Sequence, residues 1–328
     1  MSEFEAVDDE SVFVDPQMKP IIERMLATME ERGPMGTATP SVMRARFNED
    51  VKAWNEDLPE LDEISDRVVE TPQGDIPVRL YNPDASMDTL PCLIFIHGGG
   101  WIVGDLDTNE RTLRVLAKKS GVRILSVDYP LSPENKFPIG LDACVAVVRW
   151  VRENGRDWGI DSDYLAVGGD SAGGNLALAT ALDLRDAGDD WLRFALLVYA
   201  AISADSDTDS HRRFGNGEFG LASDGMKFFW SQYLTDETER NDPRAVPLLA
   251  NMKKLPPTYL ITAGLDALSD DSHSLEKILQ TENVPVEHRI YPGVIHGFFS
   301  MARFLDAGEQ AVTDAADAMK RALMQTRA

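Results

Sequence analysis

From residue 90 onward, short uninterrupted apolar runs alternate with stretches of helical periodicity, and no other feature constrains the fold as strongly. The clearest run is Leu93-Ile94-Phe95-Ile96. Strands that are apolar throughout are buried on both faces, as happens when crossover helices cover a parallel sheet. The alternation therefore predicts an α/β fold with a mostly parallel central sheet flanked by helices. Further strands are predicted at 122–127, 164–167, 194–198, 258–263 and 286–291, and helices at 107–120, 139–154, 171–187, 272–282 and 307–326.

Two segments stand outside this alternation. Residues 1–56 precede the core strands and contain helical stretches at 16–31 and 41–56, followed by a hairpin pattern at 66–82. Residues 203–245 interrupt the core pattern with a segment rich in Gly, Asp and Phe. We expect these two segments to form a helical cap over one core, which comprises residues 57–202 and 246–328.

The charge balance limits the partners that this chain can bind. It carries 55 acidic and 32 basic side chains over 328 residues, a net charge of −23. Binding to nucleic acid or to anionic membranes requires clustered Lys and Arg, so the balance argues against both. Short acidic runs such as Asp189-Asp190 indicate a strongly hydrated surface. An alternative hypothesis is adaptation to a salty medium, where counterions would screen the self-repulsion.

The chain has two cysteines, Cys92 and Cys144, and each lies in an apolar stretch. Two cysteines in a chain of this length do not make a disulfide framework, so we expect buried free thiols. The N-terminal residues are acidic and have no apolar core, unlike a signal peptide. No window approaches the roughly 18 uninterrupted apolar residues that a membrane-spanning helix needs. The expected location is the cytoplasm.

A glycine-flanked serine lies between a predicted strand and a predicted helix, in the sequence Gly169-Asp170-Ser171-Ala172-Gly173. In that position a Gly-x-Ser-x-Gly pattern predicts a sharp turn that exposes the serine hydroxyl, with glycines where side chains would clash. The positive end of the helix that follows would stabilise an anion formed nearby. The pattern alone is also typical of an ordinary glycine-rich turn, and its place between strand and helix favours the catalytic interpretation. Ser171 is therefore the candidate nucleophile.

A second glycine-rich segment, His97-Gly98-Gly99-Gly100, follows the first core strand. Acyl transfer places negative charge on a former carbonyl oxygen, so hydrogen-bond donors must already point at it. We expect the backbone amides of Gly98, Gly99 and Ala172 to form this oxyanion hole, and His97 to brace the loop. A phosphate-binding loop is the alternative interpretation, but no Lys follows and the Gly-x-Gly-x-x-Gly spacing is absent.

Asp266 and His296 each lie in a loop directly after a predicted strand. A carboxylate can hold a histidine in the tautomer that accepts the serine proton, and histidine can return that proton near neutral pH. Asp270 is the rival carboxylate, but it precedes a helix and fits a capping role better. The chain order Ser171, Asp266, His296 is the one expected of α/β-hydrolases. The other histidines are weaker candidates: His97 in the glycine loop, His211 in the cap, His273 at a helix start and His288, expected to be solvated in a strand.

These segments resemble the bacterial hormone-sensitive-lipase-like esterases, often called family IV. The resemblance covers residues 66–304 and implies an α/β-hydrolase fold with a helical cap. It also implies hydrolysis of short- to medium-chain carboxylic esters, with no metal or organic cofactor. Family members are often dimers, so a homodimer is a candidate assembly. The matching motifs are His97-Gly98-Gly99-Gly100-Trp101, Asp128-Tyr129-Pro130-Leu131-Ser132-Pro133-Glu134, Gly169-Asp170-Ser171-Ala172-Gly173-Gly174, Asp242-Pro243-Arg244, Leu255-Pro256-Pro257-Thr258 and His296-Gly297-Phe298.

One motif departs from the family's pattern, because Pro130 and Ser132 replace its usual Arg and Ala. An arginine there would anchor nearby carboxylates, so we expect altered packing around Glu134. With Asp170 and His97, Glu134 is expected to support the site.

The sequence thus predicts a carboxylesterase that acts on a small-molecule ester through an acyl-enzyme on Ser171. An amidase or deacetylase with the same machinery is an alternative, because pocket shape decides which bond is cleaved. A ligand-binding receptor is another, since the plant gibberellin receptors resemble this family, but they lack the catalytic histidine that His296 supplies here. Candidate pocket residues are Trp101, Phe214, Phe219, Leu221 and Phe298.

Overall fold

A computed structural model describes residues 12–33 and 36–325. Within these ranges one eight-stranded sheet is formed by β1 (Glu63–Thr71), β2 (Gly74–Asn82), β3 (Leu90–Ile96), β4 (Arg123–Val127), β5 (Ile160–Asp170), β6 (Leu192–Val198), β7 (Thr258–Leu265) and β8 (Val286–Ile295). The strands lie in the order β1-β2-β4-β3-β5-β6-β7-β8. β2 runs antiparallel to β1 and to β4, and the other neighbours are parallel. The predicted mostly parallel sheet is confirmed.

Helices cover both faces of the sheet, as uniformly apolar strands require. In the central strand β3, Cys92, Ile94 and Ile96 belong to one hydrophobic core, while Leu93 and Phe95 belong to the other. Helices α4 and α5 contribute to the first core, and α3 and α9 to the second. The helices of the described residues are α1 (Lys19–Arg32), α2 (Pro40–Val51), α3 (Glu110–Ser120), α4 (Ile139–Asn154), α5 (Ala172–Asp186), α6 (Asp209–Phe214), α7 (Ser223–Tyr233), α8 (Ser269–Thr281) and α9 (Asp306–Met319).

Two strands extend further than their apolar runs predict, and their ends lie next to candidate site residues. β5 continues to Asp170, so Ser171 follows it directly. β8 continues through Pro292 and Gly293, which interrupt its polarity pattern, and ends one residue before His296. The parallel pairing of β7 with β8 places Leu265 opposite Ile295. Because the pairing aligns the ends of these strands, Asp266 and His296 emerge side by side.

The N-terminal helices and the 203–245 segment contact each other. The first predicted helix is α1, and the second is α2 followed by a 3-10 turn over Lys52–Asn55. A Cβ placed on Gly36 would lie 2.9 Å from the ring of Phe228 on α7, and one on Gly220 would lie 2.6 Å from Met25 on α1. Both segments therefore pack together on one side of the molecule. Residues 1–11 of the expected N-terminal cap lie outside the described residues, and the division into cap and core stays a prediction.

Both cysteines are buried free thiols, as predicted. Burial raises the pKa of Cys92 to about 12 and also raises that of Cys144. Over the described part of the chain, no helix combines the length and apolar character needed to cross a membrane.

Candidate active site

Ser171 occupies the sharp turn between β5 and α5. Its backbone has φ 54° and ψ −122°, a conformation that L-residues rarely adopt and that commonly accompanies function. The flanking glycines are required sterically, because a Cβ on Gly169 or Gly173 would lie 2.4 Å or 2.0 Å from the carbonyl oxygen of Ile96. The turn places the serine side chain at the carboxyl end of the sheet, at the N-terminus of α5.

Three side chains from separate loops meet there. His296 Nδ1 lies 2.7 Å from Asp266 Oδ2, and His296 Nε2 lies 2.9 Å from Ser171 Oγ. Asp266 is 1% exposed, and its other oxygen accepts the amide of Leu268 at 2.9 Å. An ionised carboxylate accepts only, so Nδ1 donates to Asp266 and the lone pair on Nε2 faces the serine hydroxyl. The structure thus brings together the three residues that the sequence nominated.

Tyr199 is a site residue that the sequence reasoning missed. Its ring centroid lies 4.6 Å from that of His296, and the residue is buried with a φ of 36°. Burial raises the pKa of the Tyr199 phenol, which stays neutral. The ring therefore supports one face of the imidazole. Its position in the sequence could have indicated this role. Tyr199 directly follows β6, which lies in the sheet between β5, the strand before Ser171, and β7, the strand before Asp266.

The glycine loop corrects one predicted donor of the oxyanion hole. The amide of Gly98 donates to Asp170 Oδ1 at 3.0 Å, so it is already engaged. In contrast, the amides of Gly99, Gly100 and Ala172 donate to no acceptor among the described residues. Gly99 and Gly100 have φ of 112° and 58°. The next two amides of the loop, rather than that of Gly98, are thus available together with that of Ala172.

Asp170 and His97 hold the glycine loop through hydrogen bonds to the backbone of Gly98. Asp170 Oδ1 accepts Gly98 N–H and also Asn109 Nδ2, the latter at 2.9 Å. His97 Nδ1 donates to the carbonyl of Gly98 at 2.7 Å, and its ring stacks on Tyr129 with centroids 4.6 Å apart. Both polar groups of Gly98 are therefore fixed. Burial raises the pKa of Asp170 to about 6, against the opposing effect of its two donors, and lowers the pKa of His97.

The competing acid and histidines lie elsewhere. Asp270 is in the first turn of α8, where its carboxylate accepts the amide of Ser210 at 2.9 Å and so anchors α6. His211 Nδ1 lies 2.8 Å from Ser223 Oγ within the cap. The prediction that His288 is solvated is wrong: its side chain is 3% exposed. The pairing of β7 with β8 and the packing of α8 enclose it, between Thr262 Oγ1 and Glu276 Oε2, both at 2.8 Å.

The packing around Glu134 differs from the family's pattern in a specific way. Arg44, on α2, forms a bidentate ion pair with Glu134, at 3.0 and 2.6 Å. It lowers the pKa of the Glu134 carboxyl. A guanidinium from the N-terminal segment therefore anchors this carboxylate, while Pro130 stands where the family has its arginine.

The predicted pocket residues divide into two groups. Trp101 is 1% exposed and stacks on Tyr233 with centroids 4.5 Å apart, because its φ of 62° turns the side chain into the cap. Phe214 and Phe298 are buried as well, whereas Phe219 and Leu221 keep part of their surface exposed. Trp101, Phe214 and Phe298 therefore pack within the protein, and Phe219 and Leu221 present part of their surface to solvent. A further ring, missed from sequence, is that of Phe229, which lies directly over Gly100.

A cavity of about 290 Å³ opens between residues 203–206 and α7, lined in part by His211, Met226 and Trp230. The loop that leads into residues 203–206 is hydrogen-bonded to the nucleophile's backbone, because Ala201 N–H donates to the carbonyl of Ser171 at 3.1 Å. Trp230 also contacts Trp101, with ring centroids 4.6 Å apart. Among the described residues, no three His, Cys, Asp or Glu side chains are arranged to hold a metal ion.

The chain is similar to known ester hydrolases over most of its length. A family model for the alpha/beta hydrolase fold matches residues 93–300. The acetyl esterase of Salmonella paratyphi B is 33% identical over 268 residues, which cover 80% of this chain and 81% of that protein.

Solved structures agree over a longer span. An ester hydrolase from the metagenome of Lake Arreo, complexed with a derivative of bipyridine phosphonate, is 35% identical with a TM-score of 0.89. The match covers 94% of this chain and 98% of that one. The hyperthermophilic esterase from the archaeon Pyrobaculum calidifontis is 31% identical with a TM-score of 0.90, over 94% and 99% of the two chains.

Proposed function

The chain belongs to the α/β-hydrolase fold family, among the hormone-sensitive-lipase-like ester hydrolases, and from this membership we propose that it hydrolyses short- to medium-chain carboxylic esters through Ser171, His296 and Asp266. The observation that carries the proposal is the continuous hydrogen-bonded series from Asp266 through His296 to Ser171 Oγ. Its polarity allows a proton to leave the serine as the oxygen attacks.

In the first half-reaction, Ser171 Oγ attacks the ester carbonyl while His296 Nε2 takes the hydroxyl proton. Asp266 stabilises the imidazolium that forms. The carbonyl oxygen becomes an oxyanion, to which the free amides of Gly99, Gly100 and Ala172 are placed to donate hydrogen bonds. The tetrahedral intermediate collapses, and the alcohol leaves with the proton from His296.

In the second half-reaction, water takes the place of the alcohol. His296 removes a proton from the water, which attacks the acyl-enzyme, and Ser171 leaves with that proton. The carboxylic acid product and the free enzyme result. No other group is needed to balance either half-reaction.

The preference for short to medium acyl chains is proposed from the family membership, in which the similar Salmonella protein is named an acetyl esterase. The cavity of about 290 Å³ lies next to the loop whose Ala201 amide donates to the Ser171 carbonyl, and its lining is mixed, with Met226 and Trp230 beside charged side chains such as Lys227 and Arg240. We propose that this cavity receives one side of the ester. Phe219 and Leu221, the partly exposed residues of the predicted pocket, are proposed to contact the substrate as well.

Two further proposals from the sequence accompany this function. A homodimer is proposed by analogy with the family, and sedimentation of the full chain tests it. A cytoplasmic location is proposed from the two free, buried cysteines, which fit a reducing compartment.

The test is hydrolysis of p-nitrophenyl esters from acetate to palmitate, with wild type, Ser171→Ala and the control Ser86→Ala. We expect activity to peak at short chains and kcat to fall by about 10⁴-fold or more in Ser171→Ala. Ser86 is exposed and remote from the site, so its variant should match wild type. Retention of most activity in Ser171→Ala would disprove the mechanism. A wild type that cleaves none of these esters but cleaves amides would favour the amidase alternative. A wild type that is inert towards esters and towards fluorophosphonate probes would favour the receptor alternative.

A further inference from the structure

Arg44 reaches from the N-terminal helix α2 to the loops beside the oxyanion hole. Its Nε donates to the carbonyl of Ile102 at 2.9 Å, and its Nη2 donates to the carbonyl of Ser132 at 3.0 Å. The same guanidinium forms the bidentate pair with Glu134. One side chain from a segment remote in sequence therefore holds two carbonyls and one carboxylate.

The carbonyl of Ile102 belongs to the turn that presents the oxyanion donors. The amides of Ile102 and Val103 both donate to the carbonyl of Gly99, at 3.1 and 3.0 Å, which closes the turn over residues 99–103. The amide of Ser132 donates to the carbonyl of Trp101 at 2.8 Å, which joins this turn to the 131–135 loop. Arg44 bridges the same two loops from outside.

The ion pair itself is a weak source of stability. The side chains of Arg44 and Glu134 are 30% and 53% exposed, and pairs in such positions contribute about 0–1 kcal/mol. Geometry is the stronger effect, because a planar guanidinium with a fixed fork of donors orients several acceptors at once. Glu134 fixes the orientation of the Arg44 guanidinium, whose remaining N–H groups donate to the carbonyls of Ile102 and Ser132.

We propose that Arg44 is a positioning residue for ester hydrolysis, which holds the 99–103 turn so that the amides of Gly99 and Gly100 point at the developing oxyanion. The inference rests on the proposed function. It also gives the N-terminal segment a part in catalysis, exerted through the 99–103 turn. A small misplacement of preorganised donors lowers the rate of the chemical step more than it weakens substrate binding.

The test compares Arg44→Met with Arg32→Met in the full chain. Arg32 is a matched control, because it also forms a bidentate pair in the N-terminal helices, with Asp50, and its side chain is likewise 30% exposed. For p-nitrophenyl butyrate we expect Arg44→Met to lower kcat about 10-fold with KM changed less than about twofold. The inhibition constant of a trifluoromethyl ketone, which binds as a tetrahedral oxyanion, should rise by a similar factor. Arg32→Met should leave all three values near wild type.

Three further variants and conditions separate positioning from folding. Ethylguanidinium should restore part of the kcat of Arg44→Met, and Arg44→Lys should be intermediate. Glu134→Gln should lower kcat less than Arg44→Met does, because the amide oxygen still accepts one donor and the carbonyl contacts of Arg44 remain. Unchanged kcat and inhibitor binding in Arg44→Met, or an equal loss in Arg32→Met, would overturn the inference. If wild type is active and Ser171→Ala is not, the proposed function stands whichever result Arg44 gives.

Discussion

At the scale of single residues, both backbone polar groups of Gly98 are engaged within the protein. Its carbonyl accepts from His97 and its amide donates to Asp170, so neither group is available to a substrate. A Cβ on Gly98 would also lie 2.4 Å from Asp170 Oδ2. This residue is therefore the fixed base of the loop, and the donors lie one and two residues further along.

Asp170 leads to a prediction about stability and pH. Its pKa is raised from 3.8 in the unfolded chain to about 6, so the folded state disfavours the ionised form. The resulting cost is present above about pH 6 and disappears as the pH falls from there towards 3.8. Asp170→Asn keeps an oxygen acceptor for Gly98 and Asn109 without the charge. We expect its free energy of unfolding to exceed that of wild type by about 3 kcal/mol at pH 8.

Urea denaturation between pH 8 and pH 4.5 measures this difference. The gap between Asp170→Asn and wild type should narrow steadily below about pH 6.5. Asp88→Asn, at an exposed aspartate remote from the site, is the control and should show no such gain. A variant that is less stable than wild type at pH 8 would contradict the prediction.

At the scale of elements, the 203–245 segment contacts the glycine loop directly. Three atoms of the Phe229 ring, on α7, would lie 2.3–2.6 Å from a Cβ on Gly100. Arg44, on α2, holds the other end of the same turn. Two segments outside the α/β core, α7 and α2, therefore contact the turn that carries the proposed oxyanion donors.

This contact predicts a rescue. Gly100→Ala should lower kcat/KM by about 10²-fold, because the methyl group would displace the turn from the ring above it. The φ of 58° is tolerated by alanine at a cost of about 1–2 kcal/mol, so the clash with Phe229 is the larger effect. Adding Phe229→Ala to Gly100→Ala should raise kcat/KM again by at least about 10-fold. A double-mutant cycle measures this coupling.

Phe229→Ala alone is the control for that cycle. It should change kcat/KM only a few-fold, since the turn keeps its other supports. If the double variant is no more active than Gly100→Ala, then strain at the glycine, rather than the cap, governs the loop.

At the scale of the whole molecule, the net charge of −23 opposes compaction. Local pairing offsets part of the repulsion: Arg79, for example, contacts Asp66, Asp107 and Glu110 within 2.7 Å. Acidic side chains outnumber basic ones by 23, however, so most of the surplus has no cation to pair with.

We therefore expect Tm to rise by several degrees between 0.05 and 0.5 M KCl, because counterions screen the surplus charge over about a Debye length. Scanning calorimetry checks this. A Tm that stays constant or falls would mean that salt weakens the ion pairs as much as it relieves the repulsion. It would also argue against adaptation to a salty medium.

The sequence alone determined the features that depend on local sterics and on burial. Apolar runs predicted the strands, and glycines around Ser171 predicted a turn that only small residues permit. It also nominated Asp266 and His296, because both follow strands. Such signals are local, since each depends on a few neighbouring residues.

Only the tertiary structure decided which groups meet. The pairing of β7 with β8 aligned Asp266 with His296, and the packing of β5 against the glycine loop engaged the Gly98 amide with Asp170. Arg44 contacts Ile102, 58 positions further along the sequence, although no pattern in α2 marks it. Contacts of this kind depend on strand register and on helix docking, which no single stretch of sequence contains.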